Sequence, residues 1–156
     1  EEIVVGGMMV LLFPALPDGT HHSQLPVGML FDFLGSNLMD MVKEELINED
    51  QVDSFNLPVY FASPMEMALQ VERNGCFSIE RMELTHPRSK IDGPLDVRKL
   101  IMHLRAAMEG VFAKHFGCEI VAEMFERALQ KSAELSYQLD SSYMKATQLF
   151  LVLKHK

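Results

Sequence analysis

The segment Met8-Met9-Val10-Leu11-Leu12-Phe13 is the longest uninterrupted apolar run of the chain, with Gly6-Gly7 before it and Pro14 after it. Such a run between chain breakers is typical of a strand that is buried on both faces, as in a parallel sheet. The run is too short to cross a bilayer, and no basic residue precedes it as in a signal peptide. It therefore predicts a sheet strand and an α/β fold.

Two later segments predict further strands. Cys76 to Leu84 alternates in hydrophobicity, but the parity of the alternation changes partway, which indicates either a bulge or burial on both faces. Gln148 to Leu153 reads QLFLVL and predicts a final strand. With helical patterns between them, the strands near 8–13, 76–84 and 148–153 indicate a single partial α/β domain over residues 1–156.

The intervening helices have clear apolar periods. One is expected from Val27 to about Leu46, and another begins at Ser63-Pro64-Met65-Glu66, where Ser63 and Glu66 can form a capping box. Pro94 opens a third pattern that runs to about Phe112, and a fourth runs from about Glu119 to Tyr137. The remaining segments, including 53–60 and 85–93, are predicted as loops.

Composition excludes several function classes. The chain has 156 residues, a formal net charge of −8 and no basic stripe, so a nucleic-acid surface is not expected. Its two cysteines, Cys76 and Cys118, lie far apart without metal spacing, which favours reduced thiols in the cytoplasm. His21-His22 lacks further ligands at metal spacing, so solvated or pocket-edge histidines are the favoured interpretation.

The octet Asp53-Ser54-Phe55-Asn56-Leu57-Pro58-Val59-Tyr60 has two interpretations. It can be a plain turn, since Asp, Asn and Pro all favour turns and the aromatic rings can fix a loop to the core. It can also be an oxygen-rich site, because the Asp53 carboxylate, the Asn56 amide oxygen and a backbone carbonyl between them suit Mg²⁺.

Several separated segments together resemble one family. They are GGMMVL (6–11), the octet at 53–60, SPME (63–66), GCFSI (75–79), LRAAME (104–109), HFG (115–117) and LVLK (151–154). In this order they resemble the C-terminal half of the plant SABATH methyltransferases, which methylate carboxylates such as salicylate and jasmonate or ring nitrogens in the caffeine pathway. The segment 16–24 is most similar to the branch that contains iridoid-acid methyltransferases.

This resemblance implies the C-terminal part of a Rossmann-like class I methyltransferase sheet with an α-helical cap. It implies S-adenosylmethionine as the methyl donor, bound by residues upstream of this chain, and a small carboxylic acid as the acceptor. Asp53, Asn56 and the Phe55 backbone carbonyl are expected to bind Mg²⁺, and Leu104, Ala107 and Met108 to contact the acceptor. The intact enzyme is expected to be a cytoplasmic homodimer, with no nucleic-acid or membrane partner.

The chemistry requires no catalytic proton-transfer residue, and none is predicted. A carboxylate is already ionised at neutral pH, so no base is needed to activate it. The sulfonium donor leaves as a neutral thioether, so no acid is needed either. Two other functions remain open: an N-methyltransferase acting on a heteroaromatic ring, and a truncated, non-catalytic dimerisation module. The isolated chain is expected to be inactive in each case.

Overall fold

The computed structural model describes residues 3–86, 96–140 and 147–156. Within these ranges, three strands form an antiparallel sheet. The strands are β1 (Met8–Pro14), β2 (Phe77–Thr85) and β3 (Gln148–His155), and their order is β1-β3-β2. Both β1 and β2 pair antiparallel with β3. The α/β class is confirmed, and the predicted bulge in β2 lies between Ile79 and Arg81.

The expectation that the first strand is buried on both faces in a parallel sheet is wrong for this chain. Met9 and Leu11 pack against the sheet's buried cluster, but Met8, Val10 and Leu12 are each 60% exposed. Alternate side chains of a strand point to opposite faces, so one face of β1 is covered and the other is not. An uninterrupted apolar run does not by itself reveal which of its faces is covered.

Helix α3 (Pro64–Asn74) covers one face of the sheet, where Val71 packs with Leu151 and Leu153 of β3. Its start is the predicted capping box, in which the Ser63 hydroxyl accepts from the Glu66 N–H and Glu66 accepts from the Ser63 N–H. The helix ends at Gly75 with φ of 72°, a left-handed conformation that glycine adopts without strain.

The other helices form a separate layer. A short 3-10 turn (His22–Gln24) precedes α1 (Pro26–Lys43) and α2 (Glu49–Asp53), and α4 (Val97–Phe116), α5 (Cys118–Gln130) and α6 (Ser132–Asp140) follow β2. These helices bury their own core, in which Leu34, Met41, Ile101, Met124, Phe125 and Leu135 are almost fully enclosed. The described residues therefore form two apolar clusters, one between the helices and one between α3 and the sheet.

Two predicted boundaries differ from the structure, and a third lies outside the residues that it describes. The octet is not entirely a loop, because Asp53 is the last residue of α2. The helix expected over 119–137 is two helices that meet at Lys131. The predicted start at Pro94 and most of the loop 85–93 lie outside the described residues, and α4 is described from Val97 with Asp96 as its N-cap. No helix in the described part of the chain is long and apolar enough to span a membrane.

Ion pairs join the end of α1 to α5. Arg127 donates to both carboxylate oxygens of Glu44 at 2.7 Å. Asp40 accepts from Lys131 at 2.7 Å and from Lys43 at 2.8 Å. The hydrogen bonds from Lys131 and Lys43 lower the pKa of Asp40 to about 2, and the Arg127 hydrogen bond lowers the pKa of Glu44.

Acidification should therefore weaken the link between α1 and α5. The folded pKa of Asp40, about 2, lies below the ordinary value of 3.8, so its stabilising effect is present at neutral pH and is lost as the pH falls between these values. Asp40→Asn should lower the urea unfolding midpoint at about pH 6, and the gap from the unmodified protein should shrink at about pH 2. As a control, Glu126→Gln replaces an exposed residue of α5 and should change the unfolding midpoint little at either pH. If the difference in midpoint between Asp40→Asn and the unmodified protein did not depend on pH, the proposed role of Asp40 would be contradicted.

Candidate functional site

An apolar cavity of about 300 Å³ lies where the sheet meets the helical layer. Its walls come from the end of β1, the start of α1, the segment before α3, the middle of α4 and the start of β3. The lining residues are Pro14, Ala15, Leu25, Pro26, Val27, Leu30, Phe61, Leu100, Leu104, Thr147 and Gln148. We refer to this space as the dry cavity, since nine of these eleven residues have apolar side chains.

Backbone hydrogen bonds fix the sheet side of the dry cavity. The Ala15 N–H donates to the Thr147 carbonyl at 3.1 Å, and the Thr147 hydroxyl donates to the Ala15 carbonyl. A little further on, the Leu16 N–H donates to the Ala62 carbonyl at 3.2 Å. These bonds hold the segment after β1, the start of β3 and the segment that contains Phe61 together.

A second cavity, of about 280 Å³, lies beside the first and is more polar. Phe61 lines both cavities. We refer to the second space as the polar cavity, because three of its lining residues have polar or ionisable side chains: His22, Asp32 and Tyr60. Its other lining residues are Leu16, Gly28, Phe31, Leu57, Val59 and Phe61. His22 therefore lies at a pocket edge, which agrees with the favoured interpretation of the His21-His22 pair.

Two local features position the polar cavity's walls. A Cβ atom at Gly28 would lie 2.0 Å from the His22 carbonyl oxygen, so the 3-10 turn can pack on α1 only because residue 28 is glycine. On the opposite side, the Tyr60 hydroxyl donates to Glu66 at 2.6 Å, which raises the pKa of Tyr60. The pKa of Glu66 is lowered, chiefly by the Ser63 N–H and then by this hydroxyl.

The three predicted acceptor residues on α4 occupy different environments. Leu104 lines the dry cavity and also packs against the helical core. Met108 is half-buried against that core, whereas Ala107 is exposed, and neither lines the dry cavity. Arg105 on the same helix pairs with Glu109, with nitrogen and oxygen 2.8 Å apart.

The three predicted metal ligands lie at the end of α2, where Asp53 is the last residue, and on the turn that follows it. The Phe55 ring packs between Phe112 and Phe116, with ring centroids 5.0 and 4.9 Å away, and near His115 at 5.2 Å. His115 also bonds through Nε2 to the Gln51 carbonyl at 2.8 Å. These contacts anchor the turn to the end of α4.

The exposed side chains of this turn suit a partial Mg²⁺ site. Asp53 and Asn56 are exposed, and within the described ranges neither side chain is engaged in a hydrogen bond or ion pair. Mg²⁺ keeps several waters and is commonly bound through one or two protein carboxylates, so this oxygen set fits the ion as part of its shell. Across the described residues there is no cluster of three His, Cys, Asp or Glu side chains that could hold a metal by itself.

Most residues of the dry cavity were not identified from the sequence. Leu104 was, but Leu30 and Phe61 were not, because the walls come from five segments that are far apart in the chain. One local signal was available: Pro14 and Pro26 stand where a strand ends and a helix begins, and both line the cavity.

Comparisons with known proteins identify the fold and the family. A sequence profile described as "SAM dependent carboxyl methyltransferase" matches residues 1–156. The chain is 40% identical to loganic acid O-methyltransferase of Catharanthus roseus over the whole chain and 42% of that protein. It is 34% identical to paraxanthine methyltransferase 2 of Arabidopsis thaliana, over 86% of the chain and 38% of that protein.

A solved structure gives the same result. Loganic acid methyltransferase with SAH matches with a TM-score of 0.91 and 39% identity, over 100% of this chain and 44% of that one. This likeness confirms the predicted fold class, the C-terminal part of a Rossmann-like methyltransferase. The chain thus spans less than half the length of the relatives it matches.

Proposed function

The chain belongs to the SAM-dependent carboxyl methyltransferase family, and on this premise we propose that it is the acceptor-binding, C-terminal part of a carboxyl O-methyltransferase. The enzyme would transfer the methyl group of S-adenosylmethionine to the carboxylate of a small plant acid and release a methyl ester. The observation that carries this proposal is the dry cavity at the junction of the sheet and the helical cap, in a chain that matches the family throughout.

The proposed transfer balances without a proton. A carboxylate oxygen forms a bond to the methyl carbon as the carbon–sulfur bond breaks, and the bond electrons stay on sulfur, which leaves as a neutral thioether. The task of this chain is then to hold the acceptor in line with the donor and to exclude water, contributions worth roughly 7–11 kcal/mol in favourable cases. A rigid apolar wall supplies both.

Leu104, Ala107 and Met108 are proposed to form the acceptor wall on α4. Leu104 supports this, because it lines the dry cavity. Ala107 follows one turn later and is exposed, so it would extend the wall toward the donor-binding part, which we place upstream of this chain. We further propose that the intact enzyme is a cytoplasmic homodimer.

Asp53, Asn56 and the Phe55 carbonyl are proposed to hold Mg²⁺. The ion would supply a fixed positive charge that stiffens the turn from which Leu57 enters the wall of the polar cavity. The free oxygens of Asp53 and Asn56 and the packed Phe55 ring support this assignment.

The intact protein, with its donor-binding part, should transfer a radiolabelled methyl group from S-adenosylmethionine to members of a panel of small carboxylic acids. Mild base should then release labelled methanol, because an ester hydrolyses and an N-methyl group does not. The 156-residue chain alone should transfer nothing and should bind no donor by calorimetry. A base-stable product on a xanthine would favour N-methylation, and a complete lack of transfer would favour a non-catalytic module.

Asp53→Ala in the intact protein should raise the Mg²⁺ concentration that gives half-maximal activity. Loss of even an outer-shell partner of a metal commonly lowers affinity by about 10- to 100-fold, so a comparable or larger shift is expected. Asp50→Ala is the matched control, since Asp50 is an exposed aspartate on the same helix. An unchanged Mg²⁺ response in the Asp53 variant would move the site elsewhere.

Ala107→Phe should change which acids are methylated more than it changes donor affinity. A larger side chain at the wall alters the fit of the acceptor body, and differences of one methylene in such pockets change kcat/KM by about 10-fold or more. Ala106→Phe, a change at the adjacent exposed alanine, should leave the acid preference as it was. Weaker binding of the donor together with an unaltered acid preference would count against the assignment of Ala107 to the acceptor wall.

A further inference from the structure

The two cavities beside α1 differ in chemistry but share one residue. Phe61 lines both, and three pairs of sequence neighbours are divided between them: Ala15 and Leu16, Val27 and Gly28, and Leu30 and Phe31. The cavities are therefore adjacent along a common boundary. The Leu16 N–H to Ala62 carbonyl bond, 3.2 Å long, holds the Phe61 segment at this boundary.

The dry cavity offers few groups that could hydrogen-bond a ligand. Pro14 and Pro26 have no N–H, and the Thr147 hydroxyl is already bonded to the Ala15 carbonyl. The Ala15 N–H is likewise used by the Thr147 carbonyl. Among the described lining residues, the Gln148 amide is the remaining polar side chain.

The polar cavity, in contrast, has several groups that could hydrogen-bond a ligand. Its wall includes an imidazole at His22, a carboxylate at Asp32 and a phenol at Tyr60. Within the described ranges, the Asp32 side chain has no hydrogen bond or ion pair, so its oxygens are available to hydroxyl groups. The same carboxylate would repel the negative charge of an acid, which places the reacting group of any acceptor away from this cavity.

We infer that Phe61 is a specificity-determining residue: it separates the dry cavity from the polar one and restricts the acceptor to acids with an apolar body. This inference rests on the proposed methyl transfer and narrows its substrate. An acid that carries several hydroxyl groups or a sugar would find the Gln148 amide as the one free polar side chain among the described residues of the dry cavity. In this proposal the Phe61 ring blocks access to the polar groups of the second cavity. The chain would then differ in substrate from the relative named for loganic acid, although 40% of residues are identical.

The test uses the intact protein and three acids of graded polarity: 4-methylbenzoate, 4-hydroxybenzoate and 4-glucosyloxybenzoate. The first two differ by a methyl group in place of a hydroxyl. The unmodified enzyme should prefer 4-methylbenzoate in kcat/KM by about 5- to 100-fold, the range expected when a hydroxyl is buried without a partner. It should not methylate the glucosyloxy acid.

Phe61→Ala should join the two cavities, lower this preference at least about 5-fold and permit methylation of the glucosyloxy acid. Phe150→Ala is the matched control, because Phe150 is a half-buried phenylalanine on β3 that lines neither cavity. Leu104→Gln is a second, independent variant: it adds an amide to the dry cavity and should lower the preference without joining the cavities. It keeps the inference testable if Phe61→Ala does not fold.

Calorimetric titration with the same acids separates this inference from the proposed function. If no acid is methylated but 4-methylbenzoate binds more tightly than 4-hydroxybenzoate, the proposed reaction is wrong and the specificity of the cavity stands. If the unmodified enzyme accepts the hydroxylated or glucosylated acid equally well, the inference is overturned. A folded Phe61→Ala enzyme that retains the original preference would also overturn it.

Discussion

The structure depends on β3 lying between β1 and β2. Both pairings of the described sheet run through this strand, although it comes last in the sequence. Backbone N–H and C=O groups must be paired when they are buried, so without β3 the other two strands would have no partner in the described sheet. The start of the same strand, at Thr147 and Gln148, closes one side of the dry cavity. The strand that holds the sheet together therefore also contributes to the cavity wall.

The dry cavity lies at the seam between two cores that pack separately. The helical cluster includes Ile101 and Phe125, and the sheet cluster includes Leu151 and Val71. A helix stripe and a sheet face have different side-chain periods, so their surfaces do not interlock along the whole seam. Pro14 ends β1 and Pro26 opens α1, so both elements have a boundary at this space. The result is a space lined by apolar side chains that neither core fills.

Features set by neighbouring residues could be predicted from the sequence, whereas features set by distant ones could not. The capping box at Ser63 and Glu66 depends on residues within one turn of helix, and it was predicted. The exposed face of β1 and its antiparallel pairing depend on which strand lies beside it. The apolar periodicity of one segment carries no information about its neighbouring strand. The break at Lys131 is similar, because the apolar pattern continues across it from α5 into α6. The family resemblance added Leu104 to the site, but Phe61 emerges only from the two cavities together.

Several of the described ionisable groups serve to join or end elements of the fold. Asp40, Glu44 and Arg127 tie helices together, Arg105 pairs with Glu109, and Glu66 closes a helix cap. Each lowered carboxyl pKa has a structural partner as its cause. A reaction between an existing carboxylate and a sulfonium gains from a site that binds the acceptor's body in one orientation and keeps water out. Under the proposed function the decisive property is the shape and apolar character of the wall, which in this chain comes chiefly from prolines, leucines and one phenylalanine.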